Sequence, residues 1–209
     1  MSEVRGVPPG RAGRLWLRQR LDAARGAVDL LDRELRILRG EQQRLRLLVE
    51  RTGAEWTRAA GTADEWLVRA AVLAGQRELR LAVPDEPADV RLRWTAVMGV
   101  RYPVEARCEV PEPGAGQRQA GSAAVLEAAG AYRVALRAAV EHAAALGALR
   151  RVDAEVAQVR RRMRAINDRW VPRLDRALRA LTDRLEENER AEAVRLRWAA
   201  ARMDGEGSR

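Results

Sequence analysis

The chain has 209 residues, of which 33% are charged and only 4% aromatic, and its formal net charge is +9. The scarcity of aromatic side chains argues against a large globular core, and a single cysteine excludes an intrachain disulfide. No apolar run is long enough to cross a membrane, and residues 1–10 lack the apolar core of a signal peptide. The composition therefore predicts long helices with narrow buried stripes in a reducing compartment.

A flexible leader is expected over residues 1–13, followed by a long helix over residues 14–58. In this helix apolar positions alternate at spacings of four and three residues. A repeat of about 3.5 residues held this long predicts a coiled-coil seam, because a straight helix drifts off it by roughly 20° per heptad. The seam positions are Leu17, Leu21, Ala24, Val28, Leu31, Leu35, Leu38, Gln42, Leu45, Val49, Thr52 and Trp56.

Residues 59–121 are predicted to form an inserted region. Thr62 and Glu65 resemble a capping box, so a short helix is expected over residues 64–81. Apolar residues then alternate with polar ones, which predicts a β-hairpin at about residues 90–110 with its turn at Met98-Gly99. The hairpin contains Pro103, so we expect an exposed two-stranded flap that needs helical support.

A second long helix is predicted over residues 122–203, followed by a disordered tail at 204–209. It carries a second ladder of alternating spacing. Pro172 cannot donate a backbone hydrogen bond, and the ladder spacing becomes four residues twice in succession at Trp170, Leu174 and Leu178. Both signs predict a bend near residue 172. The second ladder comprises Ala145, Leu149, Val152, Val156, Val159, Met163, Ile166 and Trp170.

Together these elements predict a mainly α fold. It is a long antiparallel two-helix coiled coil, with a short helix and a small β-hairpin inserted at the closed end. The excess of arginine lies in the two long helices, while residues 59–149 are nearly neutral. Such a rod suits a mechanical or scaffolding function better than a pocket.

The sequence offers little for catalysis. It contains no phosphate-binding glycine loop, and one histidine with one cysteine cannot supply a zinc set. His142 is therefore interpreted as a packing or surface residue, and Cys108 as a small packing residue. The run at residues 160–162 is interpreted as a solvated arginine face, with an acidic partner surface as the alternative. We expect no catalytic residues, no metal and no cofactor.

Several motifs resemble the D subunit of the V-type/A-type rotary ATPases, and the resemblance covers most of the chain. The most specific match is the segment from Thr95 to Pro103, which is similar to the family's Asn-Val-Met-Gly-Val-Lys-x-Pro hairpin. The opening Pro9-Gly-Arg11 with its leucine ladder, the run at residues 161–166 and Val171-Pro172 also resemble family motifs. The chain departs from the family pattern at Gly10, Thr95 and Arg164.

The resemblance implies a non-catalytic rotor axle in the central stalk. Such an axle transmits torque between ATP hydrolysis or synthesis in the catalytic head and proton or sodium translocation by the membrane ring. The implied partners are the catalytic and non-catalytic nucleotide-binding proteins of the head (the A and B subunits), the small F subunit of the stalk and a membrane-ring adaptor. The implied location is cytoplasmic, peripheral to the plasma membrane through the complex, with neither membrane insertion nor nucleic acid.

Two candidate partner-binding sets follow from the resemblance. The head-end set comprises Arg11, Arg14, Trp16, Leu17, Arg195, Arg197, Trp198 and Met203. The hairpin set comprises Trp94, Val97, Met98, Gly99 and Val100. A bend at Pro172 is expected to give the axle the asymmetry that opens and closes nucleotide sites in turn. The alternative is a stand-alone basic coiled-coil scaffold or a nucleic-acid-associated protein, for which steep salt-dependent DNA binding would be expected.

Overall fold

A computed structural model describes residues 4, 6–84, 86–111 and 122–206, without the side chains of 201–206. The elements are α1 (Gly10–Leu81), β1 (Asp89–Val97), β2 (Val100–Glu109), α2 (Ala123–Arg164), a π-turn (Ala165–Trp170) and α3 (Val171–Glu206). The predicted mainly helical fold with one small antiparallel hairpin is confirmed. Within the described part of the chain, no helix is both long and apolar enough to span a membrane.

The chain divides into two compact units. One unit contains Leu35–Ala157 and the other contains Met1–Glu34 with Gln158–Arg209. Helices α1 and α2 each contribute residues to both units.

In the unit Leu35–Ala157, α1 and α2 run antiparallel, as three side-chain pairs show. Gln42 bonds to Asp153, the Thr52 hydroxyl lies 3.1 Å from His142 Nδ1, and the Tyr132 hydroxyl donates to Asp64 at 2.9 Å. The residue numbers of the partners rise along α1 and fall along α2. Leu45, Ala145 and Val152 are buried between these pairs, and Leu38 and Val156 are buried just beyond the pair of Gln42 and Asp153. The predicted ladders are the buried faces of both helices.

Trp56 differs from the prediction that it lies in the core. Its side chain is exposed on one face and stacks on His142, with ring centroids 5.6 Å apart. A methyl group on Gly53 would lie only 3.1 Å from the same imidazole ring. His142 therefore packs against α1, as expected.

In the second unit, α1 packs against α3 around Leu17, Leu21, Ala24 and Leu174. The partly buried side chains around this cluster are Val4, Val7, Trp16, Ile166, Val171, Ala177, Leu178 and Leu181. The predicted flexible leader is thus wrong for Val4 and Val7. Their side chains pack against the cluster, and α1 begins at Gly10 rather than near residue 14.

The predicted continuous C-terminal helix is interrupted by the π-turn. The backbone N–H of Val171 donates to the carbonyl of Ile166, five residues earlier. A π-turn accommodates one extra residue, so Trp170 rotates out of the seam and is 39% exposed. Trp170 was predicted to be a core residue, and this rotation is the reason it is not. The arginine run at 160–162 is exposed, as its interpretation as a solvated face requires.

The predicted break between two N-terminal helices near residues 59–63 is wrong. Thr62 does not cap a new helix, because its hydroxyl donates to the carbonyl of Arg58 within a continuous α1. Ala63 is fully buried, and this burial carries the helix through the expected gap. The interruption lies instead at Gly75, whose φ of 77° and ψ of 169° are not helical.

The interruption at Gly75 closes the end of the helix pair in this unit. Beyond it, Leu79 and Ala82 pack onto a cluster formed by Ala70, Ala124, Val125 and Ala128. The residues predicted as the tail also differ, since 204–206 belong to α3 and 207–209 lie outside the described residues.

Gly75→Ala is expected to destabilise the chain by about 1–3 kcal/mol, because a side chain disfavours this backbone region. No atom lies within 4 Å of the added methyl group, so steric crowding is not the cause. Gly61→Ala is the matched control, since Gly61 is helical and equally open. It should be neutral or stabilising by up to about 1 kcal/mol. Urea unfolding of both variants measures the difference, and equal effects would contradict the prediction.

Candidate partner-binding surfaces

The β-hairpin is built around a tight turn and a bulge. Met98 and Gly99 both have positive φ, 49° and 81°, as a two-residue hairpin turn requires. Pairing shifts by one residue between Arg93 and Trp94, so Val104 bulges beside Pro103. The proline bends β2 rather than ending it, because the bulge removes the need for its missing N–H. The predicted turn and strands are confirmed.

One face of β2 is fixed to α1 through Tyr102. This side chain is 2% exposed, and its hydroxyl donates to Glu41 Oε1 at 2.6 Å. Glu41 also accepts hydrogen bonds from Arg44, one turn further along α1. We call Glu41, Arg44 and Tyr102 the hairpin latch.

The hairpin also contacts α2. Arg151 Nη1 donates to the backbone carbonyl of Arg101 at 3.3 Å. The guanidinium of Arg151 lies 4.9 Å from the ring centroid of Trp94, which is a cation–π contact. The hairpin therefore bridges both helices of its unit.

The latch electrostatics are coupled. Hydrogen bonding to Arg44 lowers the pKa of Glu41 below its ordinary value of 4.5, against the opposing effect of burial. Burial, followed by the hydrogen bond to Glu41, raises the pKa of Tyr102 above its ordinary value of 10.0. A charged carboxylate and a neutral phenol are thus the forms that the folded chain favours.

These contacts place the hairpin differently from the prediction. It was expected at the closed end, but β2 lies beside Glu41, far along α1 from Gly75. The hairpin set still has an exposed part, since Trp94, Met98 and Gly99 are exposed while Val97 and Val100 are half-buried. Trp94 is occupied on one face by Arg151.

The head-end set is divided between two environments. From α1, Leu17 is 1% exposed and Trp16 packs against the same core cluster, so Leu17 belongs to the core. Arg14 is half-buried, and Arg11 is exposed and forms a 2.8 Å ion pair with Glu189 of α3.

The α3 members of the set lie on a helix segment that continues past α1. Glu189 already lies opposite Arg11, near the first residue of α1, yet α3 extends to Glu206. We call residues 190–206 the C-terminal extension, which is about 25 Å long. Between residues 186 and 200 every side chain except the half-buried Ala193 is exposed, and Trp198 is 76% exposed. Arg195 and Arg197 share this segment, and the Met203 side chain is outside the described residues.

A third surface was missed by the sequence reasoning. At the closed end of α1, the exposed apolar residues Leu67, Val68, Val72 and Leu73 form what we call the closed-end patch. Ala70 between them is buried, so apolar side chains surround the helix on every side. The sequence feature that could have predicted this patch is the apolar run at residues 67–75, in which Arg69 is the one charged residue. A helix that is apolar all round is normally buried.

The family model for the D subunit of ATP synthase matches residues 15–201. The chain belongs to this family. A search among curated proteins gave no match to the chain.

Membership of the D-subunit family makes this chain a stalk component of a rotary ATPase and part of an ATP synthase complex. The match covers both long helical regions and the hairpin, the parts on which the resemblance depended.

Tyr102→Phe tests the latch. Removing the hydroxyl should destabilise the chain by about 1.5–3 kcal/mol, because the lost hydrogen bond is buried and charge-assisted. The matched control is Tyr132→Phe, which loses a 2.9 Å bond to Asp64 at an exposed position. The control should cost less than about 0.5 kcal/mol in urea unfolding. A latch variant no less stable than the control would refute the assignment.

The latch also predicts a pH dependence. The folded-state pKa of Glu41 is lowered, so its contribution is present above the ordinary value of 4.5 and is lost as the pH falls through the folded value. The raised pKa of Tyr102 means that its contribution is lost only as the pH rises through the folded value, above 10.0. The stability difference between the native chain and Tyr102→Phe should therefore stay constant from neutral pH down to about 4.5 and shrink as the pH falls further, through the folded pKa of Glu41. A difference that also stays constant as the pH falls further would contradict the ionised latch.

Proposed function

We propose that this protein is the non-catalytic axle of the central stalk, which transmits torque between the nucleotide-binding head and the ion-translocating ring. The family membership supports a stalk position, and the observation that carries the finer proposal is the C-terminal extension. Where side chains are described in this segment, at residues 190–200, all but the half-buried Ala193 are exposed. A helix that buries so little of its surface is marginal in water, so we expect other proteins of the complex to surround it.

The C-terminal extension is suited to contact with the head, formed by the catalytic A and non-catalytic B subunits that bind nucleotide. Arg195 and Arg197 place positive charge on its surface, and Trp198 adds a large exposed ring. Diffuse arginine on a helix can meet several acidic positions in turn, whereas a deep pocket would hold only one. The neighbouring Arg11 and Arg14 extend this basic surface onto α1, as part of the same proposal.

The closed-end patch is suited to a different partner. We assign it to the membrane-ring adaptor, because an apolar collar requires a concave apolar socket to exclude water. The exposed part of the hairpin set, around Met98 and Gly99, is assigned to the small F subunit of the stalk. In this arrangement the protein is cytoplasmic and peripheral to the plasma membrane through the complex.

An axle must also resist sliding of one helix along the other. Two polar contacts across the seam oppose this in the unit Leu35–Ala157: Gln42 with Asp153, and Thr52 with His142. A slip of register would leave these polar groups facing aliphatic side chains, which is unfavourable. The hairpin adds a third constraint, because it holds α1 at Glu41 and α2 at Arg151.

The proposal is tested by purifying the tagged chain from the membrane of its source cell. Recovery with large nucleotide-binding proteins and with ATP hydrolysis supports the axle. Recovery of the chain alone, or with nucleic acid that salt releases steeply, would instead favour the basic scaffold.

Val72→Glu tests the closed-end patch. Val72 is 79% exposed, so the chain should fold with a change of less than about 0.5 kcal/mol in stability. Burying an unpaired carboxylate in an apolar socket should reduce recovery of the membrane ring at least about tenfold.

The matched control is Leu47→Glu, at an exposed apolar position of α1 outside the patch. It should leave recovery of the ring unchanged. Equal recovery of the ring with Val72→Glu and with the native chain would overturn the assignment to the adaptor, and the nucleotide-binding proteins of the head serve as the internal reference.

A further inference from the structure

The π-turn places one residue more in the C-terminal helix than its seam needs. The seam of this unit passes through Ile166, Val171, Leu174, Leu178 and Leu181, at spacings of five, three, four and three residues. The alternation of four and three would be unbroken if a single residue between Ile166 and Val171 were missing. The interruption is therefore a one-residue insertion into an otherwise regular heptad pattern.

A π-turn accommodates the extra residue and keeps the leucines that follow it at seam positions. In an uninterrupted α-helix, the seam positions after Ile166 would fall at Trp170, Arg173 and Ala177. That register would place Arg173 at a seam position and expose Leu174, which is now fully buried. The π-turn keeps Leu174 in the seam and leaves Arg173 5.7 Å from the ring centroid of the rotated Trp170.

The extra residue and Pro172 favour the same local structure, a π-turn. In an α-helix the proline ring would collide with the carbonyl of Asp168, which costs about 3 kcal/mol or more. A π-turn widens the helix just before the proline, and the N–H of Val171 bonds five residues back instead of four. The insertion thus makes the proline tolerable, and the proline disfavours a return to α geometry.

The segment around the π-turn is loosely packed. Val159 and Leu174 are both fully buried. Between them lie residues 160–173, all of them described, and none is buried. Few packed side chains and irregular hydrogen bonds are the features of a segment with low local stability. The π-turn therefore lies between two fully buried residues, Val159 and Leu174, and is less packed than either.

We propose that residues 165–172 are a torsional hinge of the axle, retained although a more regular helix would be more stable. The inference rests on the proposed axle function. Under torque, the π-turn changes its hydrogen-bond pattern while the packed segments on either side keep theirs. Twist is then taken up at one place in the helix rather than spread along the seam.

The test is a chain without the hinge: deletion of Asp168 combined with Pro172→Ala. The deletion restores the four-and-three spacing, and the substitution removes the ring that an α-helix cannot accommodate. The thermal midpoint of the chain should rise by about 2–8 °C. In membrane vesicles carrying the whole complex, ATP hydrolysis should continue while ion uptake per ATP falls by more than half. Proton and sodium uptake are both recorded.

The matched control keeps the chain length. Asp168→Ala combined with Pro172→Ala retains the extra residue, so the π-turn should persist and ion uptake per ATP should equal that of the native complex. The hinge is refuted if the shortened variant is no more stable than this control. It is equally refuted if the shortened variant couples hydrolysis to uptake as well as the control does.

A second measurement uses the native chain alone. Amide hydrogen exchange over residues 165–171 should be at least about tenfold faster than around Val159 and Leu174. Uniform protection across the three regions would overturn the hinge without any variant. Failure of the native chain to enter a rotary ATPase would refute the axle instead, so the two failures are distinguishable.

Discussion

The narrow apolar seam is the constraint on which the rest of the structure depends. It consists mainly of leucine, alanine and valine, and no phenylalanine is available to widen it. Such a stripe buries only one face of each helix, so the helices must stay in one register along their paired length to keep it buried.

Two places show how the seam decides local structure. The expected break near residue 60 does not occur, because Ala63 is buried and holds α1 together through weak helix formers. The π-turn does occur, because Leu174 must be buried even though an extra residue precedes it. Packing overrides local preference in the first case and backbone regularity in the second.

The sequence was sufficient for the repeat, the hairpin and its turn, because each depends on neighbours close in the chain. Met98-Gly99 predicts a tight turn from two residues alone. The sequence could not predict where the hairpin packs, because that depends on the hydrogen bond between Tyr102 and Glu41, which are 61 residues apart in the chain. No periodicity reports such a contact. The sequence also indicated an irregularity near Pro172, but as a bend with a four-residue stutter, whereas the structure has one extra residue absorbed in the π-turn Ala165–Trp170. The bend itself stays a prediction.

The candidate surfaces follow from what the seam leaves unpaired. A helix pair covers the apolar faces of its own helices only where both helices are present. The C-terminal extension continues where α1 has ended, and the closed-end patch surrounds α1 on faces that α2 does not reach. The first surface carries arginine beside exposed Leu196 and Trp198, and the second is almost wholly apolar. The two surfaces differ in charge, which favours different partners for each and supports the proposed axle.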